Sequence, residues 1–178
     1  MKQARRAMAN SRFERMKQFE RADTLLPDAH VCLRVDGSGF KRLASQLGWV
    51  KPWDDRALML MRQCAEDVMQ HALPDSLLAY GHSDEFTFVL PSQSTLQQRR
   101  EHKLVSLASS VMSSSFVLHH SSFFGFSVPP ECVPAFHGRV AVLPTQQHVH
   151  KYLSWRQADC VSLKPGSPIE HRWMLSSI

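Results

Sequence analysis

Glycine is scarce in this chain, seven residues in 178, and there are only two tyrosines and four cysteines. No apolar run approaches the roughly 20 residues of a transmembrane helix, so no membrane span is expected. Cys32, Cys64, Cys132 and Cys160 show neither CxxC nor any other metal-ligand spacing, so a reduced, intracellular setting is the expectation. Cys32 and Cys64 fall inside apolar runs, where cysteine acts as a small hydrophobe. The pairs His119-His120 and His148/His150 lack companion cysteines or acids, which argues for surface histidines rather than zinc ligands. Met1 to Ala7 is basic and acid-free, but it is short and no hydrophobic signal core follows. There is no internal repeat and no long low-complexity tract.

The 178 residues are 43% hydrophobic and 21% charged, which suits one globular domain with a core and not a disordered chain. Lys and Arg number 21 against 16 Asp and Glu, a net charge of +5. That excess fits a polyanionic partner such as RNA, and equally a basic surface that serves solubility.

Apolar residues spaced by three, Phe13, Met16, Phe19 and Ala22, predict an N-terminal helix that ends at Leu26-Pro27-Asp28. Val31 to Val35 reads as a buried strand, and Phe40 to Leu47 as a short helix. Asp54 or Asp55 can cap a long helix reaching about Leu73, with an apolar stripe through Leu58, Met61, Ala65, Val68, Met69 and Ala72. Leu77 to Tyr80 and Phe86 to Leu90 bracket Gly81 to Glu85 as a β-hairpin. A third long helix is expected from about Thr95 to His119, an irregular loop over 121–135, a strand from Arg139 to Leu143 and a helix from Gln146 to Ala158. This order predicts an α+β sandwich with helices packed on one face of the sheet, plus the N-terminal helix.

Two acidic motifs stand out, Val35-Asp36-Gly37-Ser38-Gly39-Phe40 and Gly81-His82-Ser83-Asp84-Glu85-Phe86. Each sets a carboxylate where a strand gives way to a turn. If the fold brings Asp36 beside Asp84, the two acids and a carbonyl of the glycine turn suit Mg²⁺, which in turn holds phosphates. Taken singly, each Asp is an ordinary turn former. Glu85 alternates to the other side of its strand and is the weaker ligand candidate. Ser83, Lys51, Arg99, Arg100 and Lys103 are candidates for phosphate contacts; Arg99 and Lys103, four apart, would share one helical face. Arg34, two before Asp36, is a cation in an apolar strand and hints at a nearby anion. Tyr152 and Trp155 could stack on a base or simply dock their helix on the sheet.

Seven colinear segments resemble the tRNA-histidine guanylyltransferase family: Met8–Glu20, Leu33–Phe40, Lys51–Met61, Ala79–Leu90, Gln98–Leu107, Gly138–Pro144 and Tyr152–Cys160. The resemblance implies a palm-like antiparallel sheet and an enzyme that adds a guanylate to the 5′ end of tRNA-His after activation with ATP. It implies two Mg²⁺ ions on Asp36, Asp84 and the Gly37 carbonyl. Nucleotide contacts would come from Gly37, Ser38, Gly39, Phe40, Lys51, Ser83, Asp84, Arg99 and Lys103. GTP and ATP are the implied substrates, tRNA-His the partner and a homotetramer the assembly. Residues 1–7 would be an extension, 8–160 the catalytic domain and 161–178 a divergent, irregular tail. After Cys160 the chain departs from the family's His-Ile-Asn-Asn-type continuation, and His137 stands where an acid usually precedes Gly-Arg. Two rival readings follow: a catalytically silent tRNA-binding or oligomer-modulating form, and a palm of the nucleotide-cyclase type, since the Gly81–Phe86 hairpin loosely echoes GGDEF.

Overall fold

The computed structural model describes residues 14–21, 23–163 and 172–176. Five strands form one antiparallel sheet: β1 (His30–Gly37), β2 (Leu78–His82), β3 (Glu85–Leu90), β4 (Phe136–Leu143) and β5 (Arg172–Ser176), in the order β4-β1-β3-β2-β5. The helices are α1 (Phe40–Gln46), α2 (Asp55–Asp67), α3 (Glu101–Phe124) and α4 (Gln146–Leu163). A π-helical turn, Val68–Ala72, continues α2 and completes the long helix expected there.

Alternation along β1 assigns the two sheet faces. Val31, Leu33 and Val35 are buried in the main core with Phe86, Phe88 and Leu90 of β3, Leu60, Met61 and Cys64 of α2, and Leu104, Ala108, Met112 and Phe116 of α3. Cys32, Arg34 and Asp36 face the opposite way. There Cys32 and Val89 pack against Val149 of α4, with Tyr152 and Leu153 partly buried beside them. The architecture is the expected α+β sheet with α2 and α3 on one face; α4 is added on the other because its small apolar stripe matches Cys32 and Val89. Burial pushes the Cys32 thiol up to about 12 and raises that of Cys64, so both behave as apolar groups.

Three boundaries differ from those read in the sequence. The N-terminal segment is a 3₁₀-helix, Glu14–Phe19, with Met16 55% and Phe19 81% exposed; the expected stripe partners Phe13 and Ala22 lie outside the described residues. The helix expected from Thr95 starts only at Glu101, after a 3₁₀ turn in which Gln97, Gln98 and Arg99 all have positive φ, and it runs on to Phe124, where Gly125 at φ 78° ends it. The tail is not irregular throughout: residues 161–163 extend α4, and β5 pairs with β2 from Leu78↔Ser176 to His82↔Arg172. Period-two alternation is too short over Arg172–Ser176 to signal a strand; pairing with the open edge of β2 supplies it.

Candidate active site

The hairpin turn is two residues long, Ser83 and Asp84, between His82 at the end of β2 and Glu85 at the start of β3. Ser83 takes a left-handed φ of 58° to close it. The Gly37 N–H donates to the Asp84 carbonyl at 3.1 Å, so the end of β1 and the hairpin turn are in direct backbone contact. The two acidic motifs, 48 residues apart in sequence, therefore meet at one end of the sheet's inner strands.

Gly37 is required here by close approach: a Cβ would collide with the ring of Phe40. Phe40 is buried and packs edge-on against Trp49 and Phe116, at 5.8 and 5.7 Å between ring centroids. Gly39 takes φ 65° at the start of α1, a conformation that suits glycine. Ser38 is tied by its N–H to the Ala135 carbonyl at 2.8 Å, just before β4.

The short turn also fixes the register, and with it a correction. Asp36 pairs directly with Glu85 on one side and His137 on the other, so all three side chains share the α4 face. Glu85, expected on the far side, is the cross-strand neighbour of Asp36. One Oδ of Asp36 accepts from the Arg34 guanidinium at 2.9 Å, and the other lies 2.8 Å from His137 Nε2. Arg34 also approaches Glu85 at 3.5 Å, and Arg156 of α4 grips Glu85 with two N–H bonds of 2.7 and 2.9 Å. The anion that Arg34 hinted at is thus within its own chain, in a line Arg156–Glu85–Arg34–Asp36–His137. The bidentate, partly buried Arg156–Glu85 pair holds its side-chain geometry well. Trp155 lies under the Arg156 guanidinium, 4.6 Å from it, while Tyr152 packs on the sheet and burial raises its phenol.

On the other side of the turn lies a cavity of about 840 Å³, lined by Lys41, Trp49, Lys51, Trp53, Ser83 and Asp84 among others. Asp36 is not part of its lining. Asp54 fixes the loop that forms the cavity wall. Its carboxylate binds the Arg56 guanidinium at 2.9 Å and accepts from the N–H groups of Val50 (3.0 Å) and Arg56 (3.1 Å), capping α2. The Arg56 side chain, opposed by burial and helped by these N–H groups, holds the Asp54 carboxyl below its ordinary value. Lys41 and Lys51 are exposed, and neither forms an ion pair among the described residues.

Of the expected phosphate ligands, Lys51 and Ser83 border this cavity, whereas Arg99 and Lys103 do not. Arg99 precedes α3, so the two do not share a helical face. The Arg99 guanidinium is buried and donates to the carbonyls of Ser94 and Ala29, both at 2.9 Å, and of Leu26 and Ser92. Glu85, ranked in the sequence as the weaker ligand candidate, and Lys41, Trp53 and Arg156, which the sequence did not single out, also border these turns or the cavity. A two-residue turn would have given the first; the others are set by long-range packing that no local pattern carries.

Among the described residues, no group of three or more His, Cys, Asp or Glu side chains forms a metal-ligand cluster. Mg²⁺ needs less than that: one or two carboxylates completed by water and substrate phosphates. The oxygen-only set of Asp36, Asp84 and backbone carbonyls fits that requirement by chemistry, with Arg34 and His137 as competing partners of Asp36.

Residues 13–144 match the family described as Thg1, tRNAHis guanylyltransferase. The chain is 44% identical over 154 residues to the probable tRNA(His) guanylyltransferase of Mus musculus, covering 86% of this chain and 51% of that protein. It is 43% identical to the tRNA(His) guanylyltransferase of Debaryomyces hansenii, again over 86% of this chain and 58% of the relative. The chain thus spans about half the length of these curated relatives. The crystal structure of the Saccharomyces cerevisiae tRNA(His) guanylyltransferase superposes with a TM-score of 0.77 at 36% identity, over 83% of this chain and 65% of the other. A bacterial Thg1-like protein solved with GTP shares the fold at 24% identity and a TM-score of 0.75, over 85% of this chain and 73% of the other. With a family match across most of its length and the same α+β sheet, the chain belongs to the tRNA(His) guanylyltransferase family.

Proposed function

We propose that this chain carries the nucleotidyl-transfer centre of a tRNA(His) guanylyltransferase, adding GMP to the 5′ end of tRNA-His. The observation that carries this reading is the Gly37–Asp84 backbone bond, which joins the two acidic turns beside a cavity bearing Lys51 and Ser83. In the reaction, a 5′-phosphate oxygen of the tRNA attacks the α-phosphorus of ATP and pyrophosphate leaves. The 3′-hydroxyl of GTP then attacks the activated 5′-phosphorus, AMP departs, and hydrolysis removes pyrophosphate from the added nucleotide.

Asp36 and Asp84, with the Gly37 carbonyl, are the residues that would hold Mg²⁺. Two such ions, when bound, stabilise the attacking and leaving oxygens of an in-line displacement. The chain's own part is positioning. Lys51 and Ser83 face the cavity and neutralise or hydrogen-bond phosphate oxygens. Arg34, anchored through Glu85 to Arg156, orients the Asp36 carboxylate. Ser38, Gly39 and Phe40 shape the turn into α1, and Arg99 holds the 3₁₀ turn ahead of Lys103 on α3. Association of copies and binding of the basic surface to tRNA complete the proposal.

Incubation with 5′-monophosphorylated tRNA-His, GTP, ATP and Mg²⁺ tests it. Guanylate addition is expected, with Asp84→Ala reducing it at least about 100-fold, the scale of losing one electrostatic stabiliser of a transition state. Addition that survives Asp84→Ala at the original rate overturns the site. The engagement of both Asp36 oxygens by Arg34 and His137 favours a second reading, a tRNA-binding form without turnover. The same assay then shows salt-sensitive tRNA binding and no addition.

A further inference from the structure

We propose, resting on the reading of Asp36 as a cation ligand, that His137 is a nitrogen ligand of the same site and biases it from Mg²⁺ toward divalent transition ions. The backbone decides where the imidazole points. Phe136 and His137 open β4, and the Ser38 N–H bond to the Ala135 carbonyl carries the β1–β4 pairing past Gly37↔Phe136. Phe136 turns into the core, its ring centroid 5.2 Å from that of Phe40 and 6.4 Å from that of Phe116. Alternation then sends His137 to the α4 face, directly opposite Asp36. Its Nε2 lies 2.8 Å from one Asp36 oxygen, and the side chain is 54% exposed, so the ring can adjust without disturbing the core. Adjacent ligands of an octahedral ion with bonds of about 2.0–2.1 Å are themselves about 2.9 Å apart. Nε2 and Oδ1 therefore already have the spacing of two such ligands. A cation there takes the Nε2 lone pair, leaves the ring proton on Nδ1 and fills its shell with water or phosphate oxygens.

Charge decides which cation gains most from this nitrogen. Arg34 bonds Asp36 and approaches Glu85, and Arg156 grips Glu85 with two N–H bonds. Arg139 follows His137 by two residues, on the same face of β4. The two carboxylates on this face are thus opposed by guanidinium groups. That weakens the site for Mg²⁺, a hard ion held chiefly by anionic oxygens. A neutral imidazole adds no charge, yet its nitrogen is a good donor to later divalent transition ions such as Co²⁺, Ni²⁺ and Zn²⁺. The pair Asp36–His137 favours ions of that kind.

Mn²⁺ bound to the full chain without nucleotide, followed by electron paramagnetic resonance and displaced by Mg²⁺ or Co²⁺, tests the assignment. The electron spin-echo of the bound Mn²⁺ should carry the modulation of a directly bound imidazole nitrogen, and His137→Ala and His137→Gln should abolish it. Both variants are expected to lower Co²⁺ affinity at least about tenfold, the scale of disturbing a metal's ligand shell, and Mg²⁺ affinity by less than about twofold. Circular dichroism should be unchanged, because the side chain lies outside the core. Nitrogen modulation that persists in both variants, unchanged or tighter Co²⁺ binding, or an equal loss for Mg²⁺ and Co²⁺ overturns the ligand role. Loss of Mn²⁺ binding in Asp36→Asn then still upholds the Asp36 reading. Failure of the unsubstituted chain to bind Mn²⁺ saturably overturns both.

Discussion

Arg99 separates what a residue type announces from what its place decides. An arginine ahead of a basic helix invites a phosphate, yet its guanidinium donates to the carbonyls of Leu26, Ala29, Ser92 and Ser94. It closes a turn of three consecutive left-handed residues, Gln97, Gln98 and Arg99, a conformation that costs about 1–3 kcal/mol per non-glycine residue and persists only when its surroundings enforce it. Arg99→Ala is therefore expected to lower stability by about 2–3 kcal/mol, because buried carbonyls lose a charged donor. Nucleotide affinity of the folded fraction should be unchanged. Urea denaturation and equilibrium dialysis on the same variant check both; a large loss of affinity with unchanged stability contradicts the assignment. Gly37 shows the opposite case. Its place at a strand end was legible in the sequence, but its reason, the closeness of the Phe40 ring, was not.

At the scale of elements, long apolar patterns were legible and short connections were not. The α2 stripe and the β1 run were readable because each repeats its period several times over a buried face. The start of α3 was not, because its free N–H groups are satisfied from far away. Asp23 accepts from the His102 N–H at 2.7 Å, and its carbonyl accepts from Glu101 at 3.0 Å. The joint between α2 and α3 is also a carboxylate. Burial works against ionisation of Asp67, but bonds from Ser115, His119 and Gln63 outweigh it and hold the carboxyl low. Asp54 is lowered too, chiefly by Arg56.

A carboxyl depressed in the folded state stabilises fully above its unfolded value, near 4, and loses that contribution as pH falls through the lower folded value. Stability should thus hold steady from neutrality to about pH 5 and fall below about pH 4 as Asp54 and Asp67 take up protons. The Asp54→Asn, Asp67→Asn double variant should flatten that decline when urea midpoints are compared across pH. An undiminished slope in this variant would mean that neither carboxyl contributes to the acid limb.

At the scale of the whole molecule, the sheet joins segments from β1 to β5 into one frame, and one end of its inner strands β1, β3 and β2 carries the acidic turns. Pairing these turns was legible because each couples a strand end to an acid. The register that places Glu85 and His137 beside Asp36 was not, since it depends on the hairpin turn having two residues and on His137 of β4 arriving from 101 residues away. The tail strand β5 was equally hidden, because the partner edge of β2 lies about 90 residues earlier in sequence.

The proposed function stands or falls with a divalent-cation site built from Asp36 and Asp84 at this end of the sheet. Titration with Mn²⁺ followed by electron paramagnetic resonance, with GTP present, measures it most directly. Saturable Mn²⁺ binding is expected, weakened at least about tenfold by Asp36→Asn and by Asp84→Asn, with circular dichroism unchanged. Equal Mn²⁺ affinity in the unsubstituted chain and both variants would contradict it.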